Sequence, residues 1–140
     1  MQNNTRPVVY LACPYSDPRG LEETINFETA TITTQAMRDR GELVYSPITE
    51  GHATRHLVKL VGGGDIGGNW QAWQAYARAM IARLDEIAVV NLPEAEHSVG
   101  VHAEIAYARE IGKPVRFVKA FTGLPCDPPA WFVREQEANA

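Results

Sequence analysis

The sequence predicts an α/β fold: a single domain on a parallel sheet of four to five strands, with helices on both faces. Three observations carry this reading. Short apolar runs at residues 7–13, 87–92 and 114–119 are separated by longer segments of helical periodicity. The first two of these runs are almost continuously apolar rather than alternating, as in strands covered on both faces. The first strand, the helix after it and the second strand fit within about 40 residues, the span of a βαβ unit with parallel strands.

At 140 residues the chain is expected to form one domain, 1–140, with a core of its own. Its net charge of -4 and pI near 5.5 argue against binding a nucleic-acid backbone. No apolar run approaches the length that spans a bilayer, so no membrane partner is expected. The first six residues, Met1 to Arg6, lack the apolar core of a signal peptide. Cys13 and Cys126 have no metal-type spacing, and free thiols suit a cytoplasmic protein.

Residues 7–13 form the first strand, which breaks at Pro14 into the turn-rich loop Tyr15-Ser16-Asp17-Pro18-Arg19-Gly20. Residues 21–40 are helical, with Ile25, Ala30, Thr33 and Met37 on one side and Gly41 as C-cap. Residues 42–46 are a second strand, stopped by Pro47. A short helix is expected from Thr54 to Val61, followed by a glycine-rich loop at 62–69. That loop formally contains GxGxxG, but no clear strand precedes it and no helix opens directly from its first glycines. A mobile loop or lid fits it better than a dinucleotide site.

Residues 70–84 are helical, with Trp70, Trp73, Ala77, Met80, Ile81 and Leu84 apolar. The strand at 87–92 then leads to a helix at 98–111, in which Val101, Ile105, Ala108 and Ile111 recur at helical spacing and Ser98 takes the N-cap position. A strand at 114–119 follows. The tail, 120–140, carries a short helix from about Ala130 to Glu137, where Trp131 and Phe132 are expected to dock on the body of the chain or on a neighbouring subunit. Two connections leave the first strand in opposite directions, so the sheet is doubly wound, of flavodoxin or Rossmann type. The ligand crevice belongs at the carboxyl ends of the strands, where the order switches. The 13–20 loop and the start of the 98–111 helix face it.

Glu104 lies about two turns into that helix and shares a face with Gly100 and Val101. Gly100 leaves room for a ligand beside the backbone, and Val101 gives that side an apolar surface. A carboxylate among small groups near a helix N-terminus suits an ionised nucleophile. The spacing alone fits an ordinary solvated helix glutamate as well.

Several segments in this order resemble the nucleoside 2-deoxyribosyltransferase superfamily. They are Tyr10-Leu11-Ala12-Cys13-Pro14-Tyr15, Tyr45-Ser46-Pro47-Ile48, the tryptophan-rich helix, Ser98-Val99-Gly100-Val101-His102-Ala103-Glu104-Ile105 and Gly112-Lys113-Pro114-Val115. That superfamily includes transferases that exchange bases on deoxyribonucleosides and hydrolases that cut the N-glycosidic bond of nucleoside 5'-monophosphates. The resemblance covers roughly residues 7 to 119, and its specific part is the serine-to-glutamate segment.

The resemblance implies that Glu104 is the nucleophile and that Tyr10 orients it; apart from the resemblance, Tyr10 reads as a core aromatic. Ser98 matches the monophosphate hydrolases, where the free-nucleoside transferases carry an aspartate. A hydroxyl beside helix N-terminal amides holds a phosphate that a carboxylate would repel. Pro14, Tyr15, Ser16, Arg19 and Gly20 match the phosphate-binding loop, although Asp17 opposes that role and Arg19 also fits a solvated loop cation. Gly100, Pro47, Ile48 and His52, with Ser46, fall on the sugar and base side.

One departure stands out. The family's aspartate on the helix before the third strand falls near Arg78, where no carboxylate lies. Glu50, His52 or Asp65 are candidate substitutes, or Arg78 itself binds phosphate. The expected activity is therefore N-glycosidase action on a nucleoside 5'-monophosphate, needing no metal or redox cofactor, in a homo-oligomer. Base exchange by a deoxyribosyltransferase and a non-catalytic nucleotide-binding module are the alternatives.

Overall fold

The computed structural model describes residues 5–15, 23–62 and 70–139. The elements run β1 (Val8–Ala12), α1 (Glu23–Asp39), β2 (Leu43–Tyr45), α2 (Pro47–Leu60), α3 (Trp70–Arg83), β3 (Glu86–Val90), a 3-10 helix (Pro93–His97), α4 (Val99–Glu110), β4 (Val115–Val118), β5 (Pro125–Cys126) and α5 (Ala130–Ala138). They build an α/β domain on one five-stranded sheet of order β2-β1-β3-β4-β5. No helix among the described residues is long and apolar enough to cross a membrane.

The first four strands are parallel, as expected. The fifth is antiparallel to β4, pairing Phe117 with Cys126. The chain reverses there through a tight turn with Phe121 and Gly123 at positive φ, closed by Lys119 N–H to Leu124 O at 2.8 Å. Such a turn can join only antiparallel neighbours; a parallel strand would need a crossover. The turn is also anchored to α1. Thr33 Oγ1 donates to Thr29 O at 2.7 Å and accepts from Phe121 N–H at 2.9 Å. Thr29 and Thr34 likewise donate to carbonyls one turn back, so the threonine-rich face of α1 is buried with its hydroxyls satisfied.

The two-residue alternation of the strands divides the core. Val9, Leu11, Val44, Ala88, Val90 and Val118 pack with Ala30 and Met37 of α1 and with Ile48. On the opposite face, Tyr10, Ala12, Ile87, Val89 and Phe117 pack with residues of α3, α4 and α5. Tyr10 is therefore committed to the face that carries α4, and this alternation is what aims it at Glu104.

Helix α2 begins seven residues before the expected Thr54. Pro47 ends β2 and also opens the helix, because its missing N–H falls where a helix has no partner to give it. Ser46 Oγ caps the same turn, accepting from Thr49 N–H at 3.4 Å. Of the two expected docking places for the tail, the chain's own body is the one occupied. Trp131 and Phe132 lie edge-on to Phe117, with centroids 5.9 and 4.9 Å away, and Arg109 covers Phe132 at 4.8 Å.

Charged groups gather at the amino ends of the strands. Arg116 bonds Glu86 at 2.9 Å and Glu42 at 2.7 Å, while Asp85 accepts the Val8 N–H at 2.7 Å. Asp85 and Glu86 are thus strand-entry residues.

Because Trp131 is buried against the sheet through α5, Trp131→Ala should cost about 3 kcal/mol by lost contacts and a cavity. Urea unfolding followed by circular dichroism reads this directly. An unchanged midpoint would mean that α5 does not belong to the cooperative unit.

Candidate functional site

The site is set by α4. Ser98 Oγ accepts from Val101 N–H at 3.2 Å, and the chain enters Ser98 extended from the 3-10 helix. Val101, Ile105 and Ala108 are buried in the core, which fixes the helix's rotation. Glu104 is then left on the flank of that stripe, beside α3. It lines a narrow crevice with Trp73, Ala77, Arg78, Ile81 and Tyr107, whose free volume of about 10 Å³ is room for about one water.

The residue keeps partial exposure, but its carboxyl is enclosed by protein. Burial pushes the pKa from 4.5 up to about 7, and the Tyr10 hydroxyl opposes that rise. Among the described residues no cation shifts it. In return, burial and the nearby Glu104 charge raise the Tyr10 phenol well above its usual range. The Tyr10 hydroxyl is buried and makes no hydrogen bond of ordinary geometry with any described group. It is close enough to Glu104 to interact, yet keeps capacity for a further partner. Cys13, at the carboxyl end of β1, has its thiol pushed up to about 12, first by burial and then by Glu104 and Glu94. A buried thiol raised in this way is a poor nucleophile, and the influence of Glu104 on it puts that carboxyl near the end of β1.

Next to Tyr10 in the sheet stands Tyr45, its register partner in β2, with ring centroids 5.9 Å apart. Tyr45 Oη lies 3.1 Å from Glu50 Oε2 and 3.0 Å from Tyr76 Oη. Burial, then the bond to Tyr76 and the charge of Glu50, raise the Tyr45 phenol far above its ordinary value. Tyr76 stacks on Trp73 at 5.9 Å, and Trp73 returns to the Glu104 crevice.

The structure brings together Glu104, Tyr10 and Arg78. Ser98 and Gly100 stand on the same helix, about 9 Å and 6 Å back along its axis from Glu104 at 1.5 Å per residue. Arg78 rests its guanidinium over the Tyr107 ring at 4.9 Å. Pro14 is buried at the end of β1. His52 turns instead toward α1, stacked on Phe27 at 4.3 Å and 2.6 Å from the Tyr15 hydroxyl through Nδ1. Ile48 is enclosed in the core on that same face, and Ser46 is a buried helix cap, so neither presents a side chain to the Glu104 crevice. Pro47 forms the first turn of α2. Ser16, Arg19 and Gly20, with Asp17 and Asp65, lie outside the described residues.

Tyr45, Tyr76 and Trp73 are wall residues that the sequence reading passed over. Their signal was present: Tyr45 alternates with the buried Val44 at a strand's carboxyl end, and Trp73 and Tyr76 are one helical turn apart. Among the described residues no group of three or more His, Cys, Asp or Glu could hold a metal ion.

The fold and the site together define an α/β domain with a carboxylate and a tyrosine facing each other beside the switch in strand order. The chain belongs to the family described as a domain of unknown function, DUF1937, whose model matches residues 7–120. No curated protein matches the sequence.

The raised pKa of Glu104 makes stability depend on pH. Below about 4.5 both the folded and unfolded states hold the proton; above about 7 both have lost it, and only the folded state keeps the charge out of water. Stability should therefore fall as pH rises from about 4.5 through about 7. Glu104→Gln removes that cost, so at pH 8 the variant should be more stable than the parent by about 2–3 kcal/mol, with little difference at pH 4.5. Thermal unfolding at the two pH values measures it, and an equal difference at both would place the carboxyl in water.

Proposed function

We propose that this chain is an N-glycosidase that hydrolyses the base–sugar bond of a nucleoside 5'-monophosphate. The observation that carries the reading is the enclosed Glu104 carboxyl beside the buried Tyr10 hydroxyl, which interacts with it. The sequence resemblance assigns the same two residues to the nucleophile and its orienting group.

In the proposed reaction a Glu104 oxygen attacks the anomeric carbon while the bond to the base nitrogen breaks, and the base leaves with that electron pair. The transition state is cation-like at the sugar, so a carboxylate with no competing cation among the described residues stabilises it strongly. The resulting glycosyl ester is opened by water. Its oxygen joins the anomeric carbon and keeps one proton as the new sugar hydroxyl, the carboxylate is released, and the other proton ends on the base. Tyr10 holds the attacking oxygen in place and steadies its charge between steps.

Ser98 and the first turn of α4 support a place for the phosphate. The first N–H groups of a helix have no intrahelical partner and favour an anion. No acidic residue occupies that turn. Arg78 offers a second positive group; swinging off Tyr107, it would also widen a crevice that now admits about one water. The unpaired thiols of Cys13 and Cys126 support a reducing, cytoplasmic setting.

Incubation with ribo- and deoxyribonucleosides and their monophosphates, with and without a spare base, and chromatography of the products tests this. Free base should appear from monophosphates alone. A new nucleoside formed only with added base would move the assignment to a transferase, and no base from any substrate would overturn it. Glu104→Ala should abolish release. The rate should rise with pH through about 7 as Glu104 ionises.

Tyr10→Phe should slow release about 10- to 100-fold and, above pH 7, lower stability by only about 1 kcal/mol, because the hydroxyl that eases the Glu104 charge is lost. A large drop in stability with normal turnover would make Tyr10 a core residue only.

A further inference from the structure

The Tyr45–Glu50–Tyr76 cluster plays no part in the chemistry above, and packing does not explain it. Glu50 is exposed and Tyr76 is 43% exposed, so their bonds stand at the protein surface and add little stability. They are nonetheless continuous with the site. Tyr45 abuts Tyr10, which faces Glu104, and Tyr76 stacks on Trp73, which lines the Glu104 crevice. A run of aromatic groups thus leads from Glu104 to Glu50.

The cluster's hydrogen bonds have a direction. Tyr45 has one proton and two neighbours, Glu50 Oε2 at 3.1 Å and Tyr76 Oη at 3.0 Å. An ionised carboxylate only accepts, so the arrangement that satisfies all three has Tyr45 donating to Glu50 and Tyr76 donating to Tyr45. Both protons are then spent inside the cluster. Toward a ligand it presents acceptors: the lone pairs of Tyr76 Oη, and Glu50 Oε1, which engages none of the described residues. The flat faces of Trp73 and Tyr76, inclined by 26°, suit a planar heteroaromatic ring beside those acceptors.

We infer that this cluster is the base-reading wall of the site and that it selects nucleobases bearing an exocyclic amino group. The inference rests on the nucleotide reading above and specifies its substrate. The amino group of cytosine or adenine donates to Glu50. The oxo group that replaces it in uracil or hypoxanthine would put an acceptor against an acceptor, a mismatch that costs binding once the stacked base has excluded water from the pair. Glu50 is thus a specificity residue, and Tyr45 positions its carboxylate.

Two substrate pairs differ only at that group: cytidine against uridine monophosphate, and adenosine against inosine monophosphate. Their binding to Glu104→Gln, in ribo and deoxyribo forms, is read by calorimetry, so the result stands even if wild-type protein releases no base. The amino member of each pair should bind at least about 10-fold more tightly. Adding Glu50→Gln, whose amide both donates and accepts, should bring each ratio near one. A purely structural clamp would lower the melting temperature and leave the ratios alone. Equal binding within each pair, ratios that survive Glu50→Gln, or no binding of any nucleotide would overturn the inference. Amino-selective binding without turnover in the wild type would overturn the glycosidase reading and leave this one standing.

Discussion

A carboxyl kept from water with a tyrosine hydroxyl beside it, and no cation among the described residues to offset its charge, is the interaction on which the rest of this structure turns. Such a group is costly, since desolvation penalises the charged form and one hydroxyl only partly compensates. The surrounding fold has to hold it there. It does so with two features that have nothing to do with charge: the apolar stripe of α4, which fixes that helix's rotation on the sheet, and the alternation of β1, which sends Tyr10 to the same face. Either feature shifted by one residue would put Glu104 in solvent or Tyr10 under α1.

The distribution of the other charges fits the same constraint. Arg116 pairs with Glu42 and Glu86 at the amino ends of the strands, where Asp85 also accepts a backbone N–H, away from the carboxyl end of β1 where Glu104 lies. Arg78 shares the crevice with Glu104 but spends its guanidinium on the Tyr107 face. A direct ion pair would have pulled the Glu104 pKa down and removed the near-neutral value that lets the carboxyl exist in both forms. The position where the resembled superfamily carries an aspartate therefore holds a cation that stays clear of Glu104.

Much of this could be read along the chain. The apolar strands, the Ser98 cap and the place of Glu104 on α4 all follow from periodicity and capping, which are local. The switch beside β1 follows from the order of elements. What escaped was decided by non-local contacts or by a residue with two meanings. Pro47 ends a strand and begins a helix, and only the second role reveals α2's true length. The reversal into β5 depends on Thr33 of α1 reaching Phe121 far along the chain. His52 follows the second strand, where the sequence resemblance expects the base side, yet the rotation of α2 carries it to Phe27 and Tyr15 and leaves Glu50 beside Tyr45. Two residues' difference on a helix is about 200° of rotation, enough to exchange which one faces the site.

The two glutamates that remain show how environment divides identical side chains. Glu104 is enclosed, close to neutrality in its titration and next to a hydroxyl with capacity to spare. Glu50 is exposed, and its neighbouring hydroxyls have already spent their protons. In the proposed reaction the first must gain and lose a bond to carbon, which requires a carboxylate that solvent does not already stabilise. The second must only stay charged and accept, which solvent favours. Exchanging their surroundings would disable both: an exposed nucleophile would gain little by attacking, and an enclosed reader near neutrality would change its hydrogen-bonding sense with pH. The aromatic run through Tyr10, Tyr45, Tyr76 and Trp73 keeps the two environments adjacent without letting them merge.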